Sequence, residues 1–189
     1  MKISQRRFLG ILIVAVAAVC LSVHAKPPLS EDELIAQLSS TDASKVADAL
    51  QKIEKQYPLT TKALPTIKGL LNDDRVKVKR KAARVLGSLH SEVSEADVKA
   101  ICTLLSASDP ETITDGLKAL RGLKAPSAVP FILPVLDNPK VNVVRDACRT
   151  LAVLGDKSIV PKLEPLLQRP EPALQKDAQD AIYALKAKP

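Results

Sequence analysis

The chain has 189 residues, of which two are Phe, two are Tyr and none is Trp, and its formal net charge is +7 at pH 7. This scarcity of aromatic rings disfavours binding modes that depend on stacking, as in many nucleic-acid-binding proteins, and it also weakens the case for sugar binding. Three cysteines are too few for a disulfide framework.

The N-terminus has the plan of a secretory signal peptide. Three basic residues precede the almost wholly apolar run 8–23, and Val23-His24-Ala25 offers small or branched residues at the positions that signal peptidase requires. The run of 16 residues is shorter than the roughly 20 of a membrane-spanning helix. We therefore expect cleavage after Ala25, export to the periplasm or the medium, and no transmembrane span afterwards. A retained anchor and a lipid on Cys20 are the alternatives, although bulky Val19 precedes that cysteine.

The segment after the signal peptide, residues 26–189, is expected to form one domain. Residues 1–25 contain three of the 28 basic residues and none of the 21 acidic ones, so the remaining segment carries a net charge of +4. This mild excess does not by itself indicate nucleic-acid binding. Cys102 and Cys148 are expected on different layers of the fold as small buried side chains, and their oxidation state is left open.

An apolar pattern repeats along the chain in steps of 31 to 36 residues. The pair Leu166-Leu167 has counterparts 31, 62 and 96 residues upstream. A second series of apolar pairs moves in step with it: Leu86/Leu89, Leu120/Leu123, Leu151/Leu154 and Ile182/Leu185, with Leu50/Ile53 as a weaker first copy. Two series with the same steps predict a repeated structural unit.

Each unit is predicted to contain two helices, and no strand pattern is found. The predicted first helices cover residues 31–39, 60–72, 95–107, 127–136 and 158–168. The predicted second helices cover residues 43–56, 77–90, 110–124, 140–154 and 172–187. Ser30, Ser94 and Asp109 are suited to cap the helices that follow them. Pro134 and Pro165 lie deep enough in first helices to kink them.

The stretch DNPKVNVVRDACRTLAVLGDKSIVPKLEPLL, residues 137–167, resembles the HEAT repeat, especially the short bacterial form of phycobilisome-lyase-like HEAT proteins. The matching features are the Asn-Pro turn, Val-Arg in the opening turn of the second helix, the Ala-containing middle and Leu-Gly-Asp after it. LLNDDRVKVKRKAARVLGSL, residues 70–89, is also similar. The resemblance implies an all-α fold, an α-solenoid of about five hairpins whose second helices line a concave face. Such folds mostly host binding.

Basic residues recur at two positions on the predicted second helices. In RVKVKRKAAR, residues 75–84, Arg80 and Arg84 point away from the apolar side of the helix. If the hairpins stack as in the HEAT family, these arginines and their equivalents form a cation ladder on the concave face. The ladder consists of Arg80, Arg84, Lys118, Arg145, Arg149 and Lys176.

An acidic row runs beside the cation ladder. It contains Asp115, Asp146 and Asp177, whereas Lys81 takes the equivalent position in the second unit. Two interpretations are open. The rows either neutralise each other as surface ion pairs, each contributing about 0–1 kcal/mol, or the ladder binds an anionic partner. The basic excess near residues 75–84 makes that end the expected docking point.

The sequence has no recognisable catalytic constellation. His90, at the end of a predicted helix, is the only histidine left after signal cleavage, and no nucleophile motif, phosphate loop or metal-ligand spacing is found. We therefore expect a non-catalytic exported scaffold with no cofactor, metal or small-molecule substrate, which binds an acidic protein through the cation ladder. An anionic envelope polymer, a lipid surface or nucleic acid is the alternative partner, and the expected compartment disfavours nucleic acid.

Overall fold

The computed structural model describes residues 28–57, 62–90 and 92–189. The chain divides into two compact units, Met1–Ser30 and Glu31–Pro189. The predicted signal peptide lies outside the described residues, as does the predicted start of one first helix at residue 60. The helices described below lie in the second unit.

The described part of the second unit contains ten α-helices and no strand. In chain order they are α1 (Glu31–Gln37), α2 (Ala43–Gln56), α3 (Leu64–Gly69), α4 (Val76–Ser88), α5 (Glu95–Cys102), α6 (Pro110–Leu123), α7 (Val129–Ile132), α8 (Val141–Leu154), α9 (Val160–Leu163) and α10 (Pro172–Lys186). Each odd-numbered helix and the even-numbered helix after it form one hairpin. The even-numbered helices agree with the predicted second helices to within two residues at each end.

The odd-numbered helices are shorter than predicted. For α3, α5, α7 and α9 the reason is that part of each predicted span has 3₁₀ geometry, whereas α1 ends in a turn. The 3₁₀ segments follow α3, α5, α7 and α9: Leu70–Asn72, Thr103–Ser106, Leu133–Asp137 and Glu164–Gln168. Pro134 and Pro165, the predicted kink sites, lie at the start of the last two segments, where proline cannot donate to the α-helical hydrogen-bond pattern. The segments after α3 and α5 contain no proline, so proline is not the only cause of these endings.

Side-chain caps fix where several helices begin. Ser94 Oγ accepts a hydrogen bond from the backbone N–H of Asp97 at 3.2 Å, and the Asp97 carboxylate accepts from the Ser94 N–H at 2.8 Å, which confirms the expected cap of α5. Asp109 caps α6, also as predicted, by accepting from the Thr112 N–H at 3.0 Å. Asp42 caps α2 in the same way, a cap that the sequence analysis did not identify.

The even-numbered helices pack side by side as one layer, and the odd-numbered segments form a second layer. The first member of every predicted apolar pair on the even-numbered helices is buried: Leu50, Leu86, Leu120, Leu151 and Ile182. Burial of each such side chain contributes about 1.5–3 kcal/mol to folding. This stack of five hairpins confirms the predicted all-α solenoid. Within the described ranges, no helix has both the length and the apolar character needed to cross a membrane.

Helices α4 and α6 approach each other closely at two glycines. A Cβ atom on Gly122 would lie 2.3 Å from the carbonyl oxygen of Gly87, and one on Gly87 would lie 2.6 Å from Cα of Ala119. Side chains cannot occupy such distances, so the contact requires glycine at both positions. His90 adds a hydrogen bond from ring Nδ1–H to the Gly122 carbonyl oxygen at 2.9 Å.

The structure corrects the expected position of His90. Helix α4 ends at Ser88, so His90 lies two residues beyond it and not at the end of the helix. Its backbone has a φ of 48°, in the left-handed region. The side chain reaches the neighbouring hairpin, where it bonds to the Gly122 carbonyl.

The substitution Leu151→Ala should lower the free energy of unfolding by about 2–5 kcal/mol, because it leaves a cavity at a fully buried position. Val153→Ala is the matched control on the same helix, since Val153 is 45% exposed; its effect should stay below about 0.5 kcal/mol. Urea unfolding followed by circular dichroism measures both. Equal effects of the two substitutions would contradict the orientation of α8.

Candidate functional site

The six residues of the predicted cation ladder all lie on even-numbered helices. They are distributed over four of them: Arg80 and Arg84 on α4, Lys118 on α6, Arg145 and Arg149 on α8, and Lys176 on α10. The exposed fraction of the arginine side chains runs from 15% for Arg80 to 44% for Arg149, whereas both lysines are exposed. We term the side of this layer that carries the six residues the even-helix face.

Arg80 connects α4 to α6 through three carboxylates. Its Nη1 lies 3.0 Å from Glu111 Oε2 and 3.5 Å from Asp109 Oδ2. Its Nε lies 3.3 Å from Asp115 Oδ2. This last contact is an ion pair without hydrogen-bond geometry, because the buried Nε has no hydrogen-bond acceptor. Arg80 is therefore neutralised by side chains of the next hairpin.

Arg84 extends to the opposite side of α4. Its Nη2 donates a hydrogen bond to Glu54 Oε2 on α2 at 3.1 Å. Arg84, Arg80 and Lys118 all act on Asp115 electrostatically, yet burial is the stronger influence and raises the pKa of that carboxyl. Helix α4 is thus held to α2 by one arginine and to α6 by the other.

Asp177 on α10 accepts hydrogen bonds from both ladder arginines of α8. Arg145 Nε donates to Oδ2 at 2.6 Å. Arg149 donates to the same carboxylate through Nε at 3.1 Å and Nη2 at 3.0 Å, and its Nη1 lies 3.5 Å from Asp146. Only 12% of the Asp177 side chain is exposed, so these charge-assisted bonds are partly shielded from water and connect the last two hairpins.

The arginines and lysines of the ladder therefore differ in their surroundings. All four arginines have carboxylate partners. Within the described part of the chain, no carboxylate lies at ion-pair distance from Lys118 or Lys176. Pairing of the two rows, one of the two interpretations that the sequence left open, thus occurs at Arg80, Arg145 and Arg149. Partner binding by the ladder stays a prediction, and Lys118 and Lys176 are the ladder cations with no carboxylate at ion-pair distance among the described residues.

The basic stretch 75–84 contains side chains with different roles. Arg75 donates to the Asp73 carboxylate from Nε at 2.8 Å and from Nη2 at 2.7 Å, which lowers the pKa of Asp73. Its Nη1 donates to the carbonyl oxygens of Ser40 and Thr41 at 3.0 and 2.8 Å. Arg75 therefore anchors the second hairpin to the first, a role that the sequence pattern did not indicate.

The solvent-facing side of α4 carries no carboxylate of its own. Its side chains outside the core are Val76, Lys77, Lys79, Arg80, Lys81, Arg84 and Ser88. Neither Lys77 nor Lys81 has a carboxylate at ion-pair distance among the residues that the structure describes. Lys81 stands where the later even-numbered helices have aspartate, so the acidic row is interrupted at α4.

Cys102 on α5 and Cys148 on α8 lie in different layers, as predicted, and both are free thiols. Their exposed fractions are 5% and 0%. Burial raises the pKa of Cys102 to about 11 and that of Cys148 to about 12. Both thiols are protonated at neutral pH, and buried protonated thiols are poor nucleophiles. They act as core side chains.

Two grooves lie away from the cation ladder. One of about 350 Å³ is formed by the third and fourth hairpins and includes Leu105, Pro130 and Phe131. The other, of about 460 Å³, includes His90 and Lys124. Neither groove contains a residue of the ladder, so the even-helix face is an open surface separate from both.

The family model of HEAT repeats matches residues 98–186, which include most of the third hairpin and the fourth and fifth hairpins. A similar solved structure is the complex of CpcE and CpcF of phycocyanin lyase from Nostoc sp. PCC7120, with a TM-score of 0.71 and 23% identity over 88% of this chain and 68% of that chain. The search of curated proteins found no match.

Designed repeat proteins are also similar in structure. An engineered protein has a TM-score of 0.61 and 23% identity over 83% of this chain and 79% of that chain. Computationally designed armadillo repeat proteins for modular peptide recognition have a TM-score of 0.62 and 18% identity, with 81% of each chain covered. At these identities the likeness shows the fold alone, an α-solenoid of HEAT or armadillo type.

Asp177→Asn should lower the free energy of unfolding by about 1–3 kcal/mol, because the two partly buried arginines of α8 lose their charged acceptor. Asp180→Asn is the control, since Asp180 is exposed on the same helix; its effect should remain under about 0.5 kcal/mol. Thermal and urea unfolding measure both. If the two variants were equally stable, the Asp177 pairs would contribute nothing to the stack.

Proposed function

We propose that this chain is an exported, non-catalytic HEAT-type scaffold that binds a protein partner on its even-helix face. The observation that carries the proposal is a continuous layer of even-numbered helices with exposed cations, Lys118 and Lys176, on two different hairpins. Solenoid proteins use such extended surfaces to bind partners, because each repeat adds area to one continuous face.

An acidic partner suits this face best. The arginines form ion pairs with carboxylates, whereas no described carboxylate lies at ion-pair distance from Lys118 or Lys176, and α4 contains basic residues and no acidic one. Complementary charge of this kind increases the association rate and selects among partners more than it adds affinity. The ladder lysines would then contact the partner, while the ladder arginines hold neighbouring helices together through their ion pairs.

The non-catalytic role and the absence of a cofactor are proposed from the sequence and from the surroundings of its reactive side chains. The His90 ring donates to a backbone carbonyl of the next hairpin. Both thiols lie in the core with raised pKa values. The contacts of His90, Cys102 and Cys148 therefore suit roles in the packing of the hairpins, which is consistent with the proposed non-catalytic scaffold.

Export is proposed from the N-terminal sequence alone. If residues 1–25 act as a cleaved signal, the chain recovered from the envelope fraction should begin at Lys26. Intact-mass measurement of that protein tests this. A full-length mass in the envelope fraction would instead indicate a retained anchor, and an added lipid mass would indicate attachment at Cys20.

The double substitution Lys118→Glu with Lys176→Glu should abolish capture of the partner protein, because it reverses the two exposed ladder cations. The matched control is Lys157→Glu with Lys162→Glu, which reverses two exposed charges in and next to the odd-numbered helix α9. Affinity capture from envelope extract, with mass spectrometry of the bound proteins, compares the variants with the native chain. Equal capture by both double variants would contradict the proposed face.

Salt dependence separates a protein partner from the alternative, an anionic polymer or lipid surface. Binding to a polyanion releases counterions and weakens steeply as salt rises. A packed protein interface should weaken much less. A steep loss of binding with salt, together with no captured protein, would favour the alternative.

A further inference from the structure

Helix α4 is the part of the even-helix face where positive charge is concentrated without compensation. Lys77 and Lys81 have no carboxylate at ion-pair distance among the described residues, and they lie on the same side of α4, one turn apart. The arginines beside them are already neutralised by α2 and α6. Lys79, the remaining lysine of α4, also has no carboxylate at ion-pair distance among the described residues, but it lies on the opposite side of the helix. The available charge on the side of Lys77 and Lys81 is therefore a pair of lysines one turn apart.

The spacing of the two lysines suits an extended peptide. Residues four apart in an α-helix are separated by about 6 Å along the axis. Alternate residues of an extended chain, which project to the same side, are separated by about 7 Å. An extended segment that runs along α4 can thus place an acidic side chain opposite Lys77 and another, two residues further along the segment, opposite Lys81.

The acidic side chains on the α6 side of α4 disfavour a continuous polyanion across the even-helix face. Glu111 and Asp109, both paired with Arg80, keep 71% and 55% of their side chains exposed at the α6 side of α4. These carboxylates would repel a polymer that is negatively charged at every unit, whereas a peptide with separated acidic residues can avoid them.

The described surface of α4 lacks the aromatic side chains that usually stack on the bases of a bound nucleic acid. The large exposed aromatic side chains of the described residues are Phe131 on α7 and Tyr183 on α10, and neither is on α4. Single-stranded nucleic acids usually stack their bases on such rings next to the basic residues. A cationic surface without neighbouring aromatic rings fits carboxylate ligands better.

We propose that Lys77 and Lys81 bind an extended acidic segment of the partner protein, with Asp or Glu at alternate positions, along the exposed side of α4. This inference rests on the proposed protein-binding function and names the chemistry of the partner. Each lysine contacts one carboxylate of that segment.

The test uses a short fluorescent peptide in which Glu and Ser alternate, with binding measured by anisotropy at low ionic strength. Lys77→Gln with Lys81→Gln should raise its Kd about tenfold or more. Lys157→Gln with Lys162→Gln, which removes two exposed charges elsewhere, should leave the Kd within about twofold, since those residues are not on α4. Circular dichroism should show the same melting temperature for both variants, because neither pair forms an ion pair with a described residue.

Four results would overturn the inference: no binding of the peptide, an unchanged Kd in the α4 variant, an equal loss in both variants, or tighter binding of inorganic polyphosphate than of the peptide. A peptide of the same composition with its Glu residues clustered tests the spacing, and it should bind more weakly. If it binds as tightly as the alternating peptide, the spacing argument is wrong. Loss of partner capture by the Lys118 and Lys176 variant, together with no peptide binding, would remove the α4 inference and leave the proposed function intact.

Discussion

Lateral packing between successive even-numbered helices is the interaction on which the rest of this structure depends. It buries one leucine or isoleucine per hairpin at equivalent positions, and between α4 and α6 it brings the backbones of Gly87 and Gly122 into contact. Only this side-by-side arrangement brings Arg80 within reach of Asp115, thirty-five residues further along the chain. The charged residues of the even-helix face therefore come together only because the apolar sides of the helices pack.

The division between arginine and lysine on this face has a physical basis. The planar guanidinium offers several N–H donors in a fixed fork and is more weakly hydrated than an ammonium, so it suits partly buried pairs with carboxylates. Arg149 uses two of its nitrogens on Asp177 in this way. The lysine ammonium is compact and strongly hydrated, and Lys118 and Lys176 remain exposed. The identity of the basic residue thus indicates which ladder positions hold the stack together.

The hairpins could be predicted from the sequence because one buried row returns at every repeat. Leu86, Leu120 and Leu151 are all fully buried, and their recurrence every 31 to 34 residues predicts one equivalent helix per hairpin. The helix type of the odd-numbered segments could not be predicted in this way. Proline marks two of the 3₁₀ segments, but Leu70–Asn72 has the same geometry without proline.

The candidate site could be predicted only in part. The aligned aspartates suggested the Asp177 pairs, since those residues follow the repeat. Glu54 and Glu111 do not belong to that row, and they reach Arg84 and Arg80 because of the way the helices lie against each other. Arg75 was grouped with the basic stretch, yet its guanidinium is directed at backbone carbonyls of the first hairpin. Such contacts depend on side-chain direction, which residue type and spacing do not specify.

In a solenoid each hairpin contacts only its neighbours, so a change on the outward side of one helix leaves the buried rows of the others intact. Position 81 illustrates this freedom, because it holds lysine where α6, α8 and α10 hold aspartate. An acid on α4 itself is not needed to neutralise its arginines, since Glu54 and Asp115 approach from the helices on either side. Helix α4 can therefore bind both neighbouring helices through its arginines, because the carboxylates come from adjacent hairpins. Lys77 and Lys81 meanwhile have no carboxylate at ion-pair distance among the described residues.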